Sequence, residues 1–454
     1  METLLSAISA IAVVLAVGGG LWLLRAPSIY LLALHVVSRV VLDSASEVTY
    51  QPVLGSLSLM QLYSVCFIGA SGVHLLLLHR LRMHSYTLPL LAIVSAATLS
   101  AYLSSSWMEL IVLILRWAYI WILIALTMSA LEDDHGHQLM GAVAIAGLYT
   151  FLNQVYSIVT DQPKWGADQW SFVGTYAHES DISFLLTMLV VPGVYFISRP
   201  DNALGKVFGF GCLAASHVGL AYAAYRSLWI ATAAYWGFYV WTRYLRGSIS
   251  KRAFWVIASL GTVMVSTVVL GPSIVEKMAD LAIFAANPSQ YLDFSGDAKR
   301  MYLLSGRVDL INSYMGTYLN SGVHVWAAGI GPAQGKEEMG LYAHNEYLSA
   351  LVEMGIFGFI ALLWFLFRIA SDAFALAKST DLFAQATAPF LMVVLVSALG
   401  TMPFQDMRAL MALGLVLGYL GHCRIKTKSQ PGSAVSGSAR GPRVLQLESV
   451  QVLQ

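Results

Sequence analysis

His344 and Asn345 stand directly in front of an apolar run in YAHNEYLSALVEMGIFG, residues 342–358. Asn345 can cap the helix that follows by accepting an orphan backbone N–H, where little water is at hand to do so. That account does not require the imidazole. A neutral imidazole near pH 7 suits general-base work, taking a proton from a hydroxyl. Two arginines have settings that also ask for a reason. Arg226 lies in AYAAYRSLWIATAAYW, aliphatic and aromatic on both sides, and a cation at the centre of a membrane span costs about 2.5–3.5 kcal/mol. It reads either as an interfacial arginine snorkelling to lipid phosphate or as an anion-binding group on a cavity floor. Arg307, in LLSGRVDL, reads either as a solvated charge near Asp309 and Asp297 or as a second anion-binding group. Arg300 would share its face if the segment were helical throughout, but Gly306 interrupts it. Two separated guanidiniums suit a diphosphate, through bidentate charge-assisted hydrogen bonds.

Other polar groups are supporting candidates. Glu353 follows His344 on the same helix but projects from the opposite face, so it reads as a helix-packing or supporting residue; Glu346 shares its face. His178, in HESD (178–181), reads as a structural loop residue or as one that touches substrate. The segment lacks the second histidine of a zinc-binding helix, and no Cys/His spacing fits a metal site. Neither a Walker loop nor a dinucleotide-type glycine loop occurs. No metal, nucleotide or other cofactor is therefore expected. Gly355 and Gly358 suit close helix contact.

These residues must be held by membrane helices. The 454 residues are 57% apolar and only 11% charged, against about 25% charged in soluble domains. The pattern predicts an all-α integral membrane protein, with residues 1–423 as one polytopic domain and 424–454 as a disordered basic tail. Expected spans are 3–24, 58–78, 87–105, 109–130, 139–159, 180–197, 205–223, 228–245, 253–271, 346–367, 384–402 and 407–422, twelve in all. The stretch 28–42, with His35 and Arg39, reads either as a tilted thirteenth span or as an interfacial helix. Residues 3–24 lack a basic leader and read as a first span rather than a cleaved signal. The basic connections 79–84, 198–206 and 242–252 and the tail 422–430 fall on one side when spans are counted in turn, which makes that side cytoplasmic. On the other side lie the Trp-containing loop 160–179, the turn around Arg226 and a connection of about 70 residues, 272–345, whose length marks it as functional. Within it, Leu310, Ile311, Tyr314, Met315, Tyr318 and Leu319 recur at helical spacing, predicting an amphipathic helix at the membrane–water boundary. Cys66, Cys212 and Cys423 read as buried filler. A net charge of +1 gives no reason to expect nucleic acid.

The chain resembles the O-antigen ligase and O-antigen polymerase superfamily, bacterial integral-membrane glycosyltransferases of the GT-C kind. The resemblance rests on AYRSLW (224–229), SGR (305–307), GIGP (329–332), GTYAHESDISFLL (174–186) and, above all, AHNEYLSALVEMGIFG (343–358), within residues 170–420. Tyr225 departs from the family's small polar residue before the arginine. The resemblance implies metal-independent, inverting transfer of a glycan from undecaprenyl diphosphate to an acceptor hydroxyl at the periplasmic face of the inner membrane. By position, Arg226 and Arg307 would bind the diphosphate and His344 would orient or deprotonate the acceptor. The acceptor would be lipid A–core sugar in a ligase, or a second lipid-linked repeat in a polymerase for O-antigen or exopolysaccharide; the motifs do not separate the two. A transporter or flippase would instead show two related halves with helices broken near the midplane, and no such halves are evident.

Overall fold

The structure is a computed structural model that describes residues 25–54, 57–165, 170–199, 202–244, 282–292, 306–377, 379 and 381–429. Its long helices are α1 (Ser28–Ser44), α2 (Leu59–Leu77), α3 (Thr87–Ser104), α4 (Trp107–Glu132), α5 (Gly136–Val159) and α6 (Glu179–Ser198). They continue as α7 (Ala203–Ala223), α8 (Arg226–Tyr244), α9 (Arg307–Leu319), α10 (Glu346–Ala377), α11 (Leu382–Gly400) and α12 (Met407–Ser429). Among the described residues, nine of these (all but α1, α8 and α9) contain a stretch long and apolar enough to cross a membrane. The chain is an all-α multi-pass membrane protein. The strands among the described residues are two small hairpins, Pro52–Leu54 with Leu57–Ser58 and Lys164–Trp165 with Trp170–Ser171. The expected spans 3–24 and 253–271, Arg300 and the tail beyond Ser429 lie outside the described residues.

The 28–42 stretch is a helix packed within the bundle. Ser28 Oγ meets Ser129 Oγ near the end of α4 at 2.6 Å, Ser44 Oγ meets the Tyr149 hydroxyl past the middle of α5 at 2.9 Å, and Ser46 Oγ, just beyond α1, reaches the Thr175 carbonyl in the connection after α5 at 3.3 Å. So α1 runs the height of the bundle, with His35, Arg39 and Asp43 buried along it. Side-chain bonds sort the helix ends into two groups. At one end Arg80 forks onto Asp133 (2.7 Å), Arg82 reaches Glu132 (3.3 Å), Arg199 meets His137 (3.0 Å), Arg243 donates to Gln385, and Arg424 faces Asp372 (3.5 Å). At the other end Ser46 reaches the Thr175 carbonyl (3.3 Å) and Arg408 reaches Asp181 (2.6 Å).

Within α10 the helix is broken at Gly355, whose backbone (φ 65°, ψ −168°) is open in practice only to glycine. The break frees carbonyls that a continuous helix would have used. Ile330 N–H and Gly331 N–H donate to the Val352 and Glu353 carbonyls, both at 3.0 Å, and Ser100 Oγ donates to Glu353 O at 2.6 Å. The GIGP turn thus docks on the broken helix. A Cβ on Gly355 would lie 2.3 Å from the Ala327 carbonyl oxygen, so backbone meets backbone there.

The amphipathic stripe of α9 faces protein rather than the membrane boundary. Tyr314 and Tyr318 form a satellite cluster with Ala343, Leu348 and Val352, and Leu310, Ile311 and Met315 pack around it; Leu319 is exposed. The Tyr318 hydroxyl donates to Trp326 O (2.8 Å) and the Trp326 indole donates to Tyr318 O (2.7 Å). This helix therefore anchors the segment leading to His344 onto α10. Cys212 and Cys423 are buried, whereas Cys66 is exposed on α2 rather than buried: the apolar face it occupies is turned outward.

Candidate functional site

A cavity of about 730 Å³ opens at the end of the bundle away from Arg80 and Arg424. Its walls carry His178, Tyr225 and His344, the arginines Arg39, Arg116 and Arg408, and the carboxylates Asp181 and Asp406. Most of these sit at or beside helix N-termini. Ser58 and Gln61 form a capping box on α2, bonding each other's backbone N–H at 2.8 and 3.2 Å. Asp406 accepts from Arg408 N at 2.8 Å at the start of α12. Several N-termini on one cavity add partial positive charge to that of the guanidiniums.

One clamp holds the His344 and Arg226 segments together. Helix α11 ends at Gly400, leaving its last carbonyls without intrahelical donors. Asn345 Nδ2 donates to Leu399 O (3.1 Å) and Ser227 Oγ to Gly400 O (3.4 Å). Asn345 Oδ1 meanwhile accepts from Leu348 N at 3.0 Å, capping α10. Arg226 is the first residue of α8, after a turn in which Ala224 is left-handed (φ 54°). It is half-buried and does not itself line the cavity; its neighbour Tyr225 does.

His344 is half-buried, has a left-handed backbone (φ 47°), and makes no protein hydrogen bond among the described residues. Burial lowers its pKa, and the positive charge of Arg307, with that of His178 when it is protonated, lowers it further. Both groups are therefore near enough to act on the imidazole. Burial pushes the Tyr225 phenol up to about 12, with Arg307 pulling the other way. Arg307 opens α9 behind a left-handed Gly306 (φ 75°) and is half-buried. It approaches His344 and Tyr225 without lining the cavity.

His178 has two roles in this frame. Its Nδ1 accepts from Ser180 N (3.1 Å) and caps α6, while Asp181 Oδ2 accepts from His178 N (3.1 Å). With Nδ1 accepting, the proton sits on Nε2, which faces Glu179 Oε2 at 3.1 Å. The ring stays 56% exposed, lies edge-on to Tyr225 at 6.2 Å, and lines the cavity. Glu353 is elsewhere: buried, with Oε2 accepting from Ala333 N at 3.0 Å, so it secures the turn that leads to His344.

Sequence reasoning missed the charged floor. Arg39 forks onto Asp43 (2.9 and 3.3 Å) and donates to Ser64 (3.0 Å). Arg408 bridges Asp181 (2.6 Å), Asp406 (2.9 Å) and, more distantly, Asp43 (4.0 Å). Burial pushes the Asp406 carboxyl up, but Arg408 more than offsets this by charge and hydrogen bonds, and the net displacement is downward. The signal was available: Arg116 and Arg408 each fall inside an expected span, where an ionisable side chain marks function by default.

No protein-family model matches the chain, and no curated protein matches it.

Proposed function

We propose that the protein transfers a glycan from undecaprenyl diphosphate to an acceptor sugar hydroxyl at the outer, periplasmic face of a bacterial inner membrane, as an O-antigen ligase does. The observation that carries this reading is His344. It lines the cavity without a protein hydrogen bond among the described residues, within the electrostatic reach of Arg307, and shares that cavity with Tyr225, which precedes Arg226. The basic helix ends gather opposite the cavity, which favours an outward-facing site. Mixed polar and apolar walls suit a lipid-linked substrate, whose diphosphate meets cations and whose chain stays in the bilayer.

In the proposed step the acceptor oxygen attacks the anomeric carbon from the face opposite the diphosphate. A new C–O bond forms as the bond to the diphosphate oxygen breaks, giving inversion. The hydroxyl proton passes to His344, and the bonding pair leaves with undecaprenyl diphosphate. Arg226 and Arg307, which adjoin the cavity without lining it, turn their guanidiniums to that charge as it grows, so a diphosphate needs no general acid. In a deletion strain expressing variants at normal levels, His344→Ala lowers transfer about 10²–10⁴-fold, and Arg226→Ala lowers it as strongly. Full transfer by either variant would overturn the assignment. The lipid-linked pool of the same strain separates ligase from polymerase: long chains left on the carrier mark a lost ligase, single repeats a lost polymerase.

A further inference from the structure

Arg116 lies in LIVLILRWAYIW, inside α4, the most hydrophobic of the nine candidate spans. It is half-buried and lines the cavity, yet among the described residues it has no hydrogen bond and no ion pair. The two other arginines of the cavity are compensated: Arg39 by Asp43, Arg408 by Asp181 and Asp406. Glu346, Glu353 and Asp406 act on Arg116 through charge, but none bonds it: Glu346 accepts from Phe404 N (3.2 Å), Glu353 from Ala333 N (3.0 Å), and Asp406 is held by Arg408 (2.9 Å). A guanidinium without a direct partner in a membrane span is costly, and that cost is recovered if an anion from outside the chain occupies the site.

The wall around Arg116 identifies the kind of anion. Met108, Ile111 and Val112, one to two turns earlier on α4, line the cavity and are 69%, 51% and 43% exposed. Val65 on α2 lines it too and is 48% exposed. Exposed aliphatic side chains of α2 and α4 thus form one slot in the cavity wall, beside a cation that has no direct partner among the described residues. A soluble anion has no use for that slot; a lipid with an anionic headgroup does.

We propose that Arg116 binds the phosphate of the acceptor lipid, which reaches the cavity through the slot between α2 and α4, at a site separate from the Arg226 and Arg307 diphosphate site. The identification of the occupant as acceptor rests on the transferase reading; the existence of a phosphate-lipid site does not. Charge complementarity fixes the headgroup, and the exposed aliphatic wall fixes the anchor.

Photo-crosslinking tests this without requiring turnover. Val112 is replaced by a photoreactive phenylalanine analogue, and the purified protein is placed in phosphatidylcholine nanodiscs. The probes are lipid A, lipid A stripped of phosphate, undecaprenyl diphosphate and phosphatidylglycerol. Capture of lipid A is expected, with roughly tenfold or greater loss in Arg116→Gln, recovery in Arg116→Lys, and retention in Arg226→Ala; capture of undecaprenyl diphosphate in its place overturns the acceptor lipid as occupant. The lysine variant separates lost charge from lost folding. Equal capture of phosphate-free lipid A, or capture indifferent to Arg116→Gln, overturns the site. Loss in Arg226→Ala overturns its separateness, and equal capture of phosphatidylglycerol overturns the acceptor as occupant. Failure of the transferase reading shows elsewhere, as undiminished transfer by His344→Ala.

Discussion

At the scale of the residue, His344 is unusual on two counts: a backbone state uncommon for a residue with a Cβ, and a cavity-facing ring that leans on no protein hydrogen bond. A base acts in its neutral form, so the lowered pKa, set by burial first and then by Arg307 and His178, keeps it competent further into acid. The sign follows: kcat/KM for transfer falls as pH drops through the folded pKa, and the midpoint of that acid limb lies below the ordinary histidine value of about 6.5. Arg307→Gln removes one of the lowering charges, so the limb moves toward 6.5 while the plateau falls. His344→Ala abolishes the limb. Profiles measured over the acid range would count against the role if the wild-type midpoint lay at or above 6.5, or if the Arg307 variant moved it down. His344, His178, Arg226 and Arg307 stand out in the sequence because each departs from what a membrane helix needs; the structure puts His344 and His178 on the cavity wall and Arg226 and Arg307 off it. Asp181 and Asp406 were not legible. Each lies at the edge of an expected span, where a carboxylate reads as a cap, and only the fold shows Arg408 between them.

At the scale of the element, helix positions followed from hydropathy, but what happens inside a helix did not. The run expected over 346–367 continues to Ala377 because its late charges are absorbed: Asp372 sits between Arg368 (3.4 Å) and Arg424 (3.5 Å). Gly355 reads from sequence as a small residue for close contact, and small size cannot be told from torsional freedom in a single letter. The structure uses both. Adding a methyl group there strains a torsion reserved for glycine and drives Cβ into the Ala327 carbonyl. Gly306 offers a comparison, since it too has a positive φ (75°) but nothing within 4 Å of an added Cβ. Gly355→Ala should therefore cost about 3 kcal/mol or more, and Gly306→Ala about 1–2 kcal/mol. Thermal unfolding of the two variants in detergent checks the ranking. Equal midpoints would mean that the GIGP turn does not bear on α10 as described. Because that turn leads through Glu353 and Ala333 to His344, Gly355→Ala should also depress transfer where Gly306→Ala spares the break.

At the scale of the whole molecule, the two ends differ in how their charges are used. Arg80, Arg82, Arg199, Arg243 and Arg424 pair with side chains at neighbouring helix ends, at one end of the bundle. At the other end, the arginines are drawn inward: Arg39 and Arg408 to buried carboxylates, Arg116 to the cavity wall. Counting spans from sequence puts the connections 79–84 and 198–206 on one side, and the bonds among Arg80, Asp133, His137 and Arg199 gather them at one end. What counting could not supply is that α1 traverses the bundle, because its polar residues mask a helix that is buried by protein rather than by lipid. The positive-inside tendency then orients the molecule with the Arg80 end in the cytoplasm. Met83 and Val159, 69% and 79% exposed, sit at opposite ends and can report it. In a background with Cys66, Cys212 and Cys423 replaced by serine or alanine, a membrane-impermeant maleimide should modify Val159→Cys in intact cells. Met83→Cys should react only once the inner membrane is permeabilised. Labelling of both from one side would break the two-ended architecture itself. Labelling in the reverse order would keep the architecture but turn the cavity toward the cytoplasm, which would overturn transfer at the periplasmic face.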